Sequence, residues 1–517
     1  MMTAPILPGT PLAALLGPEA GALASVRIDD LVIDSREARP GAAFVAVRGG
    51  RSHGLDFAAE ALARGAAVVL YDPDGAGEMP SGVAGRAVAV PRLKGRLGDL
   101  ARRLYGAALG DVDLAGITGT NGKTTVAYLI AQAMAELGRP CGYIGTLGYG
   151  VPPRLTPHAL TTPDCFTLHR ELIALAAGHS AVEVSSHALA QDRVAGLVFA
   201  TAAITNLTRD HLDEHGDFEH YGRAKARLFA REGLRCAVLN VNDPFAAHVG
   251  ATLPPAVRTI RVAAAGARRG ANGRSADDAL ASASAAEADL AAAVTARGLA
   301  GLELDVFGRY GEARLVSPLI GGFNAENLLV ALGVLVSWDV PLGAACDALG
   351  RAAPPPGRLE VVAAGDAGGT AGAPCVVVDY AHTPDGLERA LDAVRAPTSG
   401  EVWCVFGCGG DRDRGKRAAM GRAAAAGAEH LVLTDDNPRS EDPEQIVRDV
   451  LEGVGAHPSV AIEHDRGRAI ARAIAAAKPG DVVLIAGKGH ETSQWIGTAQ
   501  RPFSDRAAAL DALGERS

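Results

Sequence analysis

The sequence predicts an α/β protein of three domains, and three observations predict it. A short apolar run (Val112, Leu114, Ala115, Ile117) enters a glycine-rich turn and then a helical pattern from Val126 to Leu137. Strand-like and helix-like segments alternate on both sides of that turn, as βαβ units require. Pro354-Pro-Pro-Gly357 then makes a stiff break, after which the alternation starts again. The implied architecture is a small N-terminal α/β domain (1–108), a central P-loop ATPase-like parallel-sheet domain (109–353) and a C-terminal Rossmann-like domain (354–517).

The elements follow in order. In the first domain, Leu31 to Ile33 and Ala43 to Val47 read as strands, Phe57 to Arg64 as a helix, and Ala67 to Leu70 as a further strand. In the second, Ile204-Thr-Asn206 and Ala237-Val-Leu-Asn240 are strand ends carrying polar residues, where open α/β sheets bind ligands. Residues 263 to 292 are rich in Ala, Arg, Gly and Ser without clear periodicity. They are expected to form an exposed, partly mobile insertion. In the third domain, Val376 to Val378, Val402 to Phe406, Leu431 to Leu433 and Val482 to Ala486 are strands separated by helices.

Bulk properties narrow the function. A chain of 517 residues with 48% hydrophobic residues can fill several cores. The formal charge of −9 is mild and spread out, which argues against a nucleic-acid or anionic-membrane binder, since such a binder would show a basic face. The seven cysteines are scattered, and Cys404 and Cys408 have no second ligand pair nearby, so buried free thiols and a reducing cytoplasm are expected. No leader pattern and no membrane-spanning run is evident.

The chemistry concentrates in short motifs. In Gly116-Ile-Thr-Gly-Thr-Asn-Gly-Lys-Thr-Thr125, backbone N–H groups can face a phosphate, Lys123 can neutralise it, and a Thr hydroxyl can hold Mg²⁺. The chain has only six lysines against 50 basic residues. Where Lys survives, an ammonium that can lose its proton has a use that Arg cannot supply. Glu183 closes a buried strand, where an acid is costly unless paired or metal-bound. The His/Asp-rich run from Thr205 to Gly216 follows another strand end, and its oxygen donors favour Mg²⁺ over zinc. Tyr221-Gly-Arg-Ala-Lys225 then opens a helix.

Further motifs lie beyond. Gly322-Phe-Asn-Ala-Glu-Asn327 precedes an apolar helix, and its two Asn suit a helix cap or a base edge, the cap being the plainer use. Asp379 suits a ribose hydroxyl or a helix cap. Gly407-Cys-Gly-Gly-Asp-Arg-Asp-Arg-Gly-Lys-Arg417 is a second glycine turn, heavy in positive charge, that suits an anionic group. Asp435-Asp-Asn-Pro-Arg439 and Gly487-Lys-Gly-His-Glu491 close two more strands, so three strand ends should converge on one crevice.

In this order the motifs resemble the Mur ligase family over nearly the whole chain, in particular its members that add the third peptide residue. The resemblance implies ATP-dependent ligation of an amino acid to a UDP-linked muropeptide. The N-terminal domain would hold the UDP sugar, the central domain ATP and the C-terminal domain the amino acid. It assigns Gly119, Thr120, Asn121, Gly122, Lys123, Thr124 and Thr125 to ATP phosphates, Asn324 and Asn327 to adenine, Arg358 to the nucleotide and Asp379 to ribose. Glu183 and His211 would hold Mg²⁺ with Thr124, and Lys225 would carry a carbamate as a further metal-binding group. Lys123, Lys225 and His211 form the implied catalytic set. Thr161, Thr162, Ser185, Gln191 and Arg193 match muropeptide contacts; Ser35, Gly50, Arg51 and Ser52 match the UDP-sugar loop. Arg412, Asp436, Asn437, Pro438, Arg439, Gly487 and Glu491 would meet the amino acid. Arg414 stands where a Lys is common.

The implied substrates are UDP-N-acetylmuramoyl-L-alanyl-D-glutamate and meso-2,6-diaminopimelate, joined through an acyl phosphate by a cytoplasmic monomer. L-lysine addition and folylpolyglutamate-type ligation are the alternatives within the enzyme class. A P-loop switch or partner-binding ATPase is the alternative outside it. Such a switch would not need the second cluster of strand-end motifs.

Overall fold

The computed structural model describes residues 9–50, 52–210, 212–265, 287–363 and 373–514. The chain separates into two compact units, Met1–Ile260 and Arg261–Ser517.

In the first unit, β1 (Thr10–Pro11) pairs antiparallel with β2 (Arg27–Ile28). A parallel sheet follows in simple order, β3 (Asp30–Val32), β4 (Ala42–Ala46), β5 (Val68–Tyr71) and β6 (Ala87–Ala89). The first three stand within one residue of the predicted strands. The predicted helix starts as a 3-10 turn, Gly54–Phe57, and is α-helical over Ala58–Ala63. A capping box formed by His53 and Asp56 fixes that start.

The remainder of this unit contains β7 (Asp113–Thr118), β8 (Cys141–Gly145), β9 (Gly148–Val151), β10 (Arg154–Thr156), β11 (His179–Glu183), β12 (Phe199–Ile204) and β13 (Cys236–Asn240). Their order is β10-β9-β8-β11-β7-β12-β13. β8, β11, β7, β12 and β13 are parallel, whereas β9 and β10 return antiparallel. β7 is buried from Leu114 to Thr118, as a strand covered on both faces must be. Because β11 and β12 flank it, the loops after all three strands leave the sheet side by side.

The second unit opens with β14 (Arg258–Ala265, straddling the division), β15 (Leu290–Gly298), β16 (Gly301–Gly308) and β17 (Gly311–Ser317). β14 and β15 pair parallel, and the rest form an antiparallel meander. The exposed insertion expected over 263–292 is thereby corrected at both ends. Ala263, Ala264, Leu290, Ala291 and Ala292 are buried strand residues. Alanine loses no side-chain entropy on burial, so its abundance did not signal exposure. Residues 266–286 lie outside the described residues.

A six-stranded sheet follows: β18 (Glu360–Ala363), β19 (Cys375–Asp379), β20 (Val402–Phe406), β21 (His430–Leu433), β22 (Val460–Ile462) and β23 (Val482–Ala486), in the order β18-β19-β23-β20-β21-β22. All but β18 are parallel. The hairpin of β24 (Ser493–Ile496) and β25 (Ala499–Pro502) lies beyond. Among the described residues no helix is long and apolar enough to cross a membrane. All seven cysteines are buried and unbridged.

One buried ion pair ties this sheet to the last helix, Asp505–Gly514. Arg466 Nε and Nη2 meet the two oxygens of Asp505 at 2.7 and 2.8 Å, and Nη2 also donates to Ala486 O at the end of β23. Neither side chain is exposed to solvent. Removing one partner leaves the other charge buried and unpaired, at a cost of about 3–5 kcal/mol. Asp505→Ala is therefore expected to lower chemical-denaturation stability by about that amount, and pairing it with Arg466→Met should recover most of the loss. An unchanged midpoint in Asp505→Ala would refute this.

Candidate active site

The turn after β7 is shaped by glycine. Gly119 has φ +146°, and an added Cβ would lie 1.9 Å from Thr205 Oγ1. Gly122, at φ +87°, starts the helix Lys123–Glu136. Thr205 and Asn206, beyond β12, brace the turn. Asn121 N donates to Asn206 Oδ1 at 2.9 Å, Thr205 Oγ1 donates to Asn121 O at 2.6 Å, and Thr120 N donates to Asn206 O at 2.9 Å. The Lys123 ammonium folds back onto Gly119 O and Thr120 O, each at 2.9 Å.

Lys225 reaches the same carbonyl. Its Nζ donates to Gly119 O at 2.8 Å and stands 4.4 Å from the centre of the Tyr221 ring. The side chain is buried. Burial, and then the charge of Lys123, push its ammonium well below the ordinary lysine range. The amine is thus biased toward its neutral, nucleophilic form.

Glu183, at the end of β11, is fully buried. It accepts hydrogen bonds from Thr124 Oγ1 (2.9 Å), Tyr143 OH (2.5 Å), Thr146 N (2.9 Å) and Thr146 Oγ1 (3.1 Å). These donors are hydroxyls and an amide, so they solvate the carboxylate without cancelling its charge. A hard cation beside Thr124 and Glu183 fits that donor set. Among the described residues no group of three or more His, Cys, Asp and Glu converges as a metal cluster. His211 lies outside the described residues.

The network continues. Thr146 Oγ1 meets Thr161 Oγ1 at 3.1 Å, and Thr162 Oγ1 donates to Glu183 O at 2.6 Å while accepting from Ser185 N. Arg193 Nη1 donates to Thr162 O, and its Nε and Nη2 hold Gln191 Oε1. Ser185 caps the helix Ser186–Ala190. All five residues matched to muropeptide contacts therefore join the phosphate loop through one set of hydrogen bonds. Among the described residues, Ser35, Gly50 and Ser52, matched to the UDP sugar, do not join this set. Ser35 donates to Glu60 at 3.0 Å, and Ser52 O accepts from Gly49 N. Gly50 lies between strands β4 and β5, and Arg51 lies outside the described residues.

In the second unit, the cap reading fails for both Asn and for Asp379. Phe323 occupies the N-cap of the helix Asn324–Ser337 without a side-chain bond. Asn324 Nδ2 instead donates to Ile320 O at 2.7 Å, and Asn327 Nδ2 donates to Asn324 Oδ1 at 2.7 Å. Thr383 caps the helix Pro384–Arg395. Asp379 accepts from Leu359 N and Ala381 N at 2.7 and 2.8 Å. Burial raises its carboxyl. The Arg358 guanidinium stacks 4.5 Å from the Tyr380 ring centre. His490 lies 5.2 Å from that ring, and burial followed by the Arg358 charge lowers it to about 4.

The three motif-bearing strands β23, β20 and β21 lie side by side and parallel, so the loops after them leave one edge of the sheet together, with charges distributed differently from expectation. In the second glycine turn, Arg417 is internal, bonded to Asp449, Glu441 and Gly409 O. Arg414 pairs with Glu441, and Lys416 donates to His382 O. Arg412 is exposed. Asn437 Oδ1 accepts from Lys488 Nζ (3.1 Å) and Trp495 N (2.9 Å), and its Nδ2 donates to Glu491 at 3.1 Å. Pro438 follows it. An added Cβ on Gly487 would lie 3.0 Å from Asp436 Oδ2. The buried Lys488 also meets Glu491 at 2.8 Å and Asp436 at 3.6 Å. Sequence reasoning left Lys488 unassigned, although it is one of only six lysines and stands inside the Gly487–Glu491 motif. Tyr143 and Thr146 were missed because hydroxyl and amide donors carry no spacing signature; Asn206 was placed at a ligand-binding strand end, without its partners in the glycine turn.

Comparison with known proteins places the chain as a whole. Three stretches match family models described as Mur ligase family, catalytic domain (27–105), Mur ligase middle domain (117–335) and Mur ligase, glutamate ligase domain (357–489). A UDP-N-acetylmuramoyl-L-alanyl-D-glutamate–2,6-diaminopimelate ligase of Xanthomonas campestris is 44% identical over 97% of each chain. The protein of that name in Alkalilimnicola ehrlichii is 45% identical over 94% of this chain and 95% of its own. A solved structure under the same name is 34% identical, with a TM-score of 0.67 over 98% of this chain and 99% of its own. A MurF ligase of Thermotoga maritima in complex with ADP, at 17% identity, shares the fold with a TM-score of 0.60 over 94% of this chain and 98% of its own.

Proposed function

The chain belongs to the Mur ligase family, and we propose that within it the protein joins meso-2,6-diaminopimelate to UDP-N-acetylmuramoyl-L-alanyl-D-glutamate at the expense of ATP, in peptidoglycan precursor synthesis. The observation that carries this reading is the continuous hydrogen-bond network from the phosphate loop through Glu183 to Thr161, Thr162, Ser185 and Arg193. It ties the groups that would hold a nucleotide to those that would hold a carboxylate acceptor. We assign the reaction to the cytoplasm and to a monomer. The three domains are taken as 1–108, 109–353 and 354–517, in keeping with the family matches.

A carboxylate does not acylate an amine at neutral pH, because its oxygen is a poor leaving group. In the proposed reaction, a terminal carboxylate oxygen of the muropeptide attacks the γ-phosphorus of ATP and ADP departs. The amine of diaminopimelate then attacks the acyl carbon, inorganic phosphate leaves, and an amide remains. Gly119 to Thr125 cradle the phosphates, with Lys123 placed against charge that builds on the transferring group. Mg²⁺, held by Thr124, Glu183, His211 and a carbamylated Lys225, would offset phosphate charge. Asn324, Asn327, Arg358 and Asp379 receive the nucleoside. Thr161, Thr162, Ser185, Gln191 and Arg193 receive the dipeptide; Ser35, Gly50, Arg51 and Ser52 receive the UDP sugar. Arg412, Asp436, Asn437, Arg439, Gly487 and Glu491 receive the amino acid.

The test is ADP release by purified protein supplied with ATP, Mg²⁺ and the UDP-muramoyl dipeptide against a panel of amino acids. Release should require both the dipeptide and meso-diaminopimelate. Release that needs neither acceptor, or that needs a folate acceptor, would overturn the proposal.

A further inference from the structure

We propose that His158 is a positioning residue for this site: held as an imidazolium between Glu171 and the Gly145 carbonyl, it fixes the peptide plane whose N–H is offered to Glu183. The inference rests on reading Glu183 as part of the nucleotide–metal site. None of the motifs used above includes His158.

The geometry is specific. His158 Nδ1 faces Glu171 Oε1 at 3.1 Å, and its Nε2 faces Gly145 O at 2.7 Å. Both partners are acceptors, so a neutral ring can serve only one of them. With its single proton on Nδ1 toward the carboxylate, it would turn a lone pair on Gly145 O. The imidazolium serves both. The pair is secluded: the His158 and Glu171 side chains are 11% and 7% exposed. The other Glu171 oxygen is buried without a hydrogen-bond partner among the described residues.

Gly145 O and Thr146 N belong to one peptide group. Its carbonyl end is held by His158 and its amide end donates to Glu183 at 2.9 Å. Rotation of that plane would break both bonds together. Hydrogen bonds at the two ends of a peptide also polarise each other. There is no room for compensation by a larger residue, since a Cβ on Gly145 would lie 2.1 Å from Glu183 Oε1.

The groups facing His158 are Glu171 on the helix Cys165–Leu175, Glu183 on β11, and Tyr149 on β9, whose ring stacks 6.3 Å away. Burial opposes the charged ring, but the hydrogen bond and charge of Glu171, the Gly145 carbonyl and the charge of Glu183 outweigh it, so the ring titrates above the ordinary histidine range. The bracing is therefore present below that titration and lost as pH rises through it.

Two measurements decide. In full-length protein labelled with ¹⁵N-histidine, the His158 ring, assigned by its absence in His158→Phe, should show imidazolium shifts near neutral pH. This arm needs no ligase activity, so its failure is distinguishable from failure of the functional reading. In kinetics, KM for MgATP should rise about tenfold across the same titration, the scale of one lost charged hydrogen bond. His158→Phe, which keeps the contact with Tyr149, should have the high KM at every pH. Glu171→Gln can donate to Nδ1 and leave Nε2–H on Gly145, so it should keep the low KM and lose the alkaline rise. A neutral His158 ring near neutral pH, wild-type KM in His158→Phe, or a high KM in Glu171→Gln would each overturn the inference.

Discussion

Lys225→Ala is expected to abolish ligation, by on the order of 10²–10³ or more in kcat, with the fold intact. Three observations converge on this residue. It is buried on a carbonyl of the phosphate loop. It shares that carbonyl with Lys123. Its proton affinity is depressed by burial and by Lys123. Two cations on one carbonyl make a poor structural device, and a bare ammonium would repel a metal ion bound beside Glu183. A neutral amine, by contrast, can add CO₂ and release a proton, and the resulting carbamate reverses the sign of the group. Acid favours the reverse reaction. Activity should accordingly fall in bicarbonate-free buffer at mildly acid pH, and short carboxylic acids should partly restore Lys225→Ala. Stability should change little, because the substitution removes a desolvated amine together with its one described hydrogen bond. Full activity in the variant would defeat the assignment.

How far the sequence was legible depended on the kind of signal. Strands of the parallel sheets were readable because burial on both faces makes continuous apolar runs, as in Val482 to Ala486 and Val402 to Phe406. The phosphate loop was readable because close backbone approach admits only glycine at 119. The alanine-rich strands at 258–265 and 290–298 were not, since a small side chain is equally at home in a core or on a surface. Side-chain partners were the least legible. Arg417 reads as an anion-binding charge in sequence, yet Glu441 and Asp449, 24 and 32 residues away, take it into the interior. The helix-cap alternative for Asn324 and Asp379 fell to Phe323 and Thr383 because the helices begin one residue earlier in the first case and four residues later in the second.

Arg439→Ala is expected to cut kcat/KM for meso-diaminopimelate by on the order of a hundredfold while leaving KM for ATP unchanged. The two amino acids in question share a chain length and a reactive amine, but diaminopimelate has an additional carboxylate at its far end. A planar bidentate donor is the group that recognises it. The backbone of Arg439 is held at φ +53°, with its N–H on Trp495 O and its carbonyl on Gly497 N. Its side chain donates to Gly410 O at 2.6 Å. The competing view, that Arg439 ties its loop to a neighbouring acid, points to Asp411, which feels the Arg439 charge but takes its hydrogen bonds from Ser440. Among the described residues no carboxylate hydrogen-bonds the guanidinium, and a carbonyl orients it without neutralising it, so its other N–H groups are the expected contact for a ligand carboxylate. Nearby, one buried cation, Lys488, faces two carboxylates, Asp436 and Glu491. That excess of negative charge suits an incoming ammonium, and the two sites together match a zwitterionic amino-acid end. With L-lysine bound, Arg439 would stay partly desolvated and unpaired, at about 3–5 kcal/mol for a buried charge and less at partial exposure. The preference for diaminopimelate should then be about a hundredfold, and Arg439→Ala should erase most of it. Equal wild-type rates on lysine and diaminopimelate, or an Arg439→Ala enzyme that still discriminates between them, would show that the distal carboxylate is read elsewhere.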